Sequence, residues 1–149
     1  MAEKARLPQV IKDMILQHHG RGLAKYFYTQ ACKAHPDREI DASLYAYPGP
    51  NPQTREAAIV MMADCCEAAV KSLKEHDEQS IRAMVDRIID NLIAEGLLRD
   101  APISFRDVET IKRIFTERLK AFYYTRISYP DDIKPKPKEE DSIDVNNAE

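Results

Sequence analysis

Apolar and polar positions alternate at helical spacing along most of this chain. Val10, Ile11, Met14 and Ile15 recur at steps of three and four, the stripe of an amphipathic helix over 8–19. Pro8 suits its first turn, and Gly20 or Gly22 supplies a left-handed stop. A second helix is expected over about 22–34, with Leu23, Tyr26, Phe27 and Ala31 on one side. The stretch "HPDREIDASLYAYPGPNP" then breaks the pattern, because Pro36, Pro48, Pro50 and Pro52 exclude a long helix.

Asn51-Pro52 has the form of an N-cap followed by proline at the first helical position. The helix it predicts runs through "QTREAAIVMMADCCEAAVKSLK" to about residue 74. Residues 57–70 are nearly all apolar, so burial on most sides is expected, with only Asp64 and Glu67 interrupting. A fourth helix follows, with Asp77 as N-cap, a stripe of Ile81, Met84, Val85, Ile88, Ile89 and Leu92, and Gly96 as its stop. The fifth opens on Ser104 and Asp107 at capping-box spacing and carries Val108, Ile111, Ile114, Phe115, Leu119 and Phe122. The end, "PDDIKPKPKEEDSIDVNNAE", is polar and rich in proline and charge, which predicts disorder. With no strand pattern and no internal repeat, the fold class is all-α.

Composition narrows the picture. At 149 residues the chain is one domain at most, and 44% hydrophobic residues with four glycines favour a helical globule. No apolar run reaches the roughly 18–20 residues that cross a bilayer, and "MAEKARLP" is no signal peptide, so a cytoplasmic chain is expected. A net charge of -3 lacks the basic footprint of a nucleic-acid-polymer binder. Cys32, Cys65 and Cys66 form no CxxC pattern and are expected as buried, reduced thiols.

The candidate chemistry lies in a few polar residues. A carboxylate in a buried helix costs several kcal/mol unless it is paired or bound to a metal, which singles out Asp64. Glu67, three residues on, shares its cation or faces solvent. His18 and His19 carry the commonest metal-ligating group, but neighbours in a regular helix diverge by about 100°. They grip one ion only where the helix unwinds; otherwise they are capping and surface residues. His35 and His76 are expected at the surface. Tyr45, Tyr47, Arg55, Tyr123, Tyr124, Arg126 and Tyr129 are of the kinds that stack on a base or hold a phosphate, or that pack half-buried with a polar tip.

Taken in order, "ILQHHGRGLAKYFYTQA", "YPGPNPQTREAAIVMMADCCEAAVKSL" and "TRISYP" closely resemble the C-terminal part of the HD domain in the seven-transmembrane HD phosphohydrolases, the PgpH type. The resemblance covers roughly 7–130, leaving 131–149 as a tail. It implies a partial HD-domain helical bundle, cytoplasmic in relatives anchored to a membrane. It also implies a phosphodiesterase for cyclic di-AMP with two transition-metal ions, manganese or iron. His18 and His19 then match the adjacent histidines that bind one ion, and Asp64 matches the aspartate that binds the other. Tyr47, Arg55 and Arg126 are its candidates for binding substrate.

The departures define what is expected of this chain. No His-Asp dyad precedes "QHHG", and only 17 residues come before His18. His76-Asp77 is a literal pair, but it stands downstream. Ala46 replaces an arginine, the usual glutamine is missing after Gly96, and Tyr124 stands for a histidine. The expectation is an incomplete catalytic domain, inactive or nearly so alone, whose partner is the missing N-terminal half or another chain. The alternatives are a helical nucleotide-binding or interaction module without catalysis, and an HD hydrolase of another nucleotide phosphoester.

Overall fold

A computed structural model describes residues 4–124, except for the side chain of Tyr124. The predicted disorder of 131–149, and Arg126 and Tyr129, lie outside these residues. Five helices appear in the expected order: α1 (Gln9–Gln17), α2 (Lys25–Ala34), α3 (Arg55–Lys71), α4 (Glu78–Ala94) and α5 (Phe105–Tyr124). A 3-10 turn, Ala42–Tyr45, sits in the proline-rich segment. Among the described residues, the β-type pairing is an isolated bridge between Leu23 and Ala46.

The core lies where α3, α4 and α5 pack on one another, with α1 against α3. Met61, Met62, Cys66 and Val70 from α3 meet Ile81, Val85 and Ile89 from α4, all fully buried. Val108 and Ile111 close the cluster from α5. Each of the larger side chains contributes roughly 1.5–3 kcal/mol by leaving water.

Local signals set most helix ends. Asp77 Oδ1 accepts the Ser80 N–H at 3.0 Å, and Ser104 and Asp107 complete their reciprocal box, with Asp107 Oδ2 accepting from Ser104 N at 3.0 Å and Ser104 Oγ from Asp107 N at 3.2 Å. These bonds favour the ionised carboxylates and lower the pKa of both, Asp77 through Ser80 and Asp107 through Ser104. Gly96 takes φ +71° after α4, the left-handed stop its position predicts.

Three expectations need correction. Asn51 is not the cap of α3. Thr54 caps it, its Oγ1 accepting the Ala57 N–H at 3.1 Å, so the helix starts at Arg55. Residues 22–24 do not begin α2, because the Ala24 N–H donates to Tyr45 O at 2.8 Å and Leu23 pairs with Ala46. The apolar side of α2 is not covered: Tyr26 and Phe27 are 70% and 64% exposed, and none of its residues is buried.

The thiols divide by burial. Cys66 is buried, while Cys32 and Cys65 are partly covered, and all three are free. Burial, and secondarily Cys65, push the Cys66 thiol up to about 12. Near pH 8, iodoacetamide should label Cys66 more than about 100-fold slower in the folded than in the denatured chain, because the thiolate is the nucleophile. Equal rates by mass spectrometry would contradict this burial.

Candidate functional site

Helix α1 stops at Gln17, which is why two adjacent histidines can converge. His18 is its C-cap, its N–H donating to Met14 O at 3.0 Å, and Gly20 takes φ +54° to turn the chain. His18 Nδ1 lies 2.8 Å from Ile15 O. A carbonyl oxygen only accepts, so in the neutral ring the proton sits on Nδ1 and Nε2 keeps its lone pair. The rings of His18 and His19 are 4.0 Å apart between centroids, tilted by 37°. Tyr47 stacks on the other side of His19, at 4.3 Å and 23°. His19 Nδ1 is 3.9 Å from Asp64 Oδ2 on α3.

The 45–53 loop laces this turn in place. Gln17, only 7% exposed, uses Oε1 to accept the Gln53 N–H at 3.0 Å. Asn51 Oδ1 accepts the Arg21 N–H at 3.0 Å, and the Tyr47 N–H donates to Gly22 O at 3.0 Å. A cleft of about 620 Å³ opens beside the turn, lined by His19, Leu23, Lys25, Tyr26, Tyr47 and Cys65 among others. Lys25 of α2 reaches Glu95 at the end of α4 at 2.5 Å, so an ion pair spans two elements of the cleft wall. Burial, and secondarily the Asp64 charge, raise the Cys65 pKa.

The sequence candidates fare differently. His18, His19, Asp64 and Tyr47 come together, with His19 in the middle. Asp64 is not buried as its apolar neighbours suggested: its side chain is 51% exposed. The covered face of α3 carries Met61, Met62, Cys66 and Val70, whereas Val60, Asp64, Glu67 and Ala68 lie on an exposed face. Arg55 stands at the N-terminal end of α3, where it donates to Pro102 O at 3.4 Å and lies 3.8 Å from Asp107. His35 is exposed as expected, but His76 is half-buried, stacked on Tyr123 at 4.0 Å. Sequence reading missed Lys25, Glu95, Gln17 and Asn51, whose roles rest on contacts 30 or more residues apart that no local spacing reveals.

Imidazole and carboxylate suit a divalent transition metal. His19 Nδ1 and Asp64 Oδ2, 3.9 Å apart, set an imidazole and a carboxylate side by side, as ligands of two neighbouring ions would stand. The fit is partial, since no group of three or more His, Cys, Asp or Glu among the described residues could hold an ion.

No protein-family model matches the sequence. An uncharacterized protein of Synechocystis is 38% identical over 133 residues, 87% of this chain and 16% of its own length. The cyclic-di-AMP phosphodiesterase PgpH of Listeria monocytogenes is 40% identical over 127 residues, 85% of this chain and 17% of that protein. PgpH of Bacillus subtilis is 35% identical over 134 residues, 90% of this chain and 19% of its own. The solved HD domain of L. monocytogenes PgpH in complex with cyclic-di-AMP superposes with a TM-score of 0.76 at 35% identity, covering 82% of this chain and 56% of that one. The chain thus spans less than a fifth of these curated relatives and a little over half of the solved domain. With this fold and this level of identity, the chain is a homologue of the PgpH-type HD phosphohydrolases and corresponds to part of their HD domain.

Proposed function

We propose that this chain is part of a metal-dependent phosphohydrolase domain acting on cyclic di-AMP in the cytoplasm. The observation that carries it is the meeting of His18, His19 and Asp64 beside a cleft, in a chain homologous to PgpH. In this reading His18 and His19 hold one divalent ion, manganese or iron, and Asp64 a second. A divalent ion supplies charge for a phosphoryl oxygen and an acidified water. Tyr47 orients His19 by stacking and offers its edge to substrate in the cleft. Arg55, whose side chain is 55% exposed although it lies 3.8 Å from Asp107, remains with Tyr47 and Arg126 a candidate for holding substrate.

The donors beyond these three come from outside the described residues, from the rest of an HD domain. Ile15 and Leu16 on α1 and Tyr26 and Phe27 on α2 stand 48%, 61%, 70% and 64% exposed near the histidine turn, a surface that such a portion would cover. Residues 1–130 then form one portion of the domain and 131–149 a tail beyond it. Among the described residues, no helix is long and apolar enough to cross a membrane.

To test this, cyclic di-AMP binding and turnover are measured with Mn2+ on the full chain. The expected result is binding of both, with turnover near background until the chain is joined to the rest of an HD domain. Absence of Mn2+ and dinucleotide binding would refute the reading. The small number of converging donors favours a second reading, a nucleotide-binding module without catalysis. It predicts dinucleotide binding that needs no metal and is unchanged in Asp64→Asn.

A further inference from the structure

We infer that Asn51 is a positioning residue that fixes the orientation of the two imidazoles of the histidine turn. Part of this rests on the reading of His18 and His19 as metal ligands, and part does not. Asn51 stands before Pro52, where an N-cap would, yet Thr54 performs that task. The Asn51 carboxamide turns instead to the segment 30 residues earlier and accepts the Arg21 N–H at 3.0 Å. It fills the inside of the turn so closely that a Cβ on Gly20 would meet Asn51 Oδ1 at 2.8 Å. Gly20, with φ +54°, is the residue that permits this approach.

The turn is thereby clamped on both sides of the histidine pair. Before it, Gln17 Oε1 holds the Gln53 N–H; after it, the Arg21 N–H is held by Asn51. Both anchors lie on the same loop, which also delivers the Tyr47 ring to His19. His18 and His19 have one backbone path between these two bonds, so their rings are aimed by how the clamp sets residues 17–21. Outer groups that orient ligating histidines in this way typically matter by 10–100-fold in metal affinity.

The test compares Asn51→Leu, which keeps the branched shape and removes the acceptor, with Asn51→Asp, which keeps the acceptor. Long-range 1H–15N spectra of the metal-free, full chain report ring tautomers, and titration with Mn2+ alone reports affinity. In the wild type, His18 should appear as the Nδ1–H tautomer. In Asn51→Leu, both rings should shift and average between tautomers, Mn2+ affinity should fall by about 10-fold or more, and Asn51→Asp should restore both. Should Asn51→Leu fail to fold, Asn51→Ala removes the same acceptor without adding bulk. Ring spectra that match the wild type would overturn the proposal. So would altered rings with unaltered Mn2+ affinity. A wild-type chain that binds no Mn2+ refutes the metal reading, and the ring spectra alone then decide for or against Asn51.

Discussion

Replacing His19 with alanine is expected to weaken Mn2+ binding by more than about 100-fold, beyond the range seen when only a supporting group is lost. His19 is the middle member of the cluster, with the His18 ring 4.0 Å away and Asp64 Oδ2 at 3.9 Å from its Nδ1. Its removal takes away the ring nitrogen beside Asp64, and the Tyr47 ring loses the surface on which it stacks. Asp64→Asn should weaken binding less, because it keeps an oxygen and loses only the charge. The measurement is calorimetric titration of both variants, with circular dichroism to verify the fold. The side chains of His19 and Asp64 are 36% and 51% exposed, so neither change should disturb the core. Equal Mn2+ affinity in His19→Ala and wild type would remove this site from consideration.

The largest effect on stability is expected at Ile89. It is fully buried on α4, the helix that packs against both α3 and α5. Truncation to alanine removes three carbon atoms from a site with no access to solvent. Large-to-small changes of this kind cost about 2–5 kcal/mol, depending on how far the walls relax. Against a total of about 5–15 kcal/mol for an ordinary domain, that is a major fraction. Ile93, one helical turn further and 36% exposed, is the control and should lose less than about 1 kcal/mol on the same change. Urea unfolding followed by circular dichroism separates them, and similar losses at the two positions would contradict the core described above.

How far the sequence revealed this molecule depended on how local each determinant is. Asp77, the Ser104–Asp107 box and Gly96 act within three or four residues, and their patterns led to the right ends for α4 and the start of α5. Asn51 misled because Asn-Pro has the form of a cap, while its side chain is spent on Arg21 across the fold. Asp64 misled for a related reason. An apolar run tells how much of a helix resists water, not which faces find partners, and this carboxylate lies on an exposed face of α3. The histidine pair was legible as a candidate, but its convergence follows from α1 ending at Gln17 rather than two residues later.

The Lys25–Glu95 pair has a mechanical meaning. Helix α2 buries none of its residues and packs on the 3-10 turn rather than on the core. An exposed ion pair of this type contributes about 0–1 kcal/mol and weakens as salt screens it. One wall of the cleft is thus the packed core, and the other is α2, which among the described residues is held by the Lys25–Glu95 pair, the Leu23–Ala46 bridge beside it and its packing on the 3-10 turn, where Tyr28 meets Tyr45. Opening such a wall costs far less than global unfolding. Salt that screens the pair is therefore expected to loosen the α2 wall before it disturbs the packing of α3, α4 and α5, so that the width of the cleft follows ionic strength.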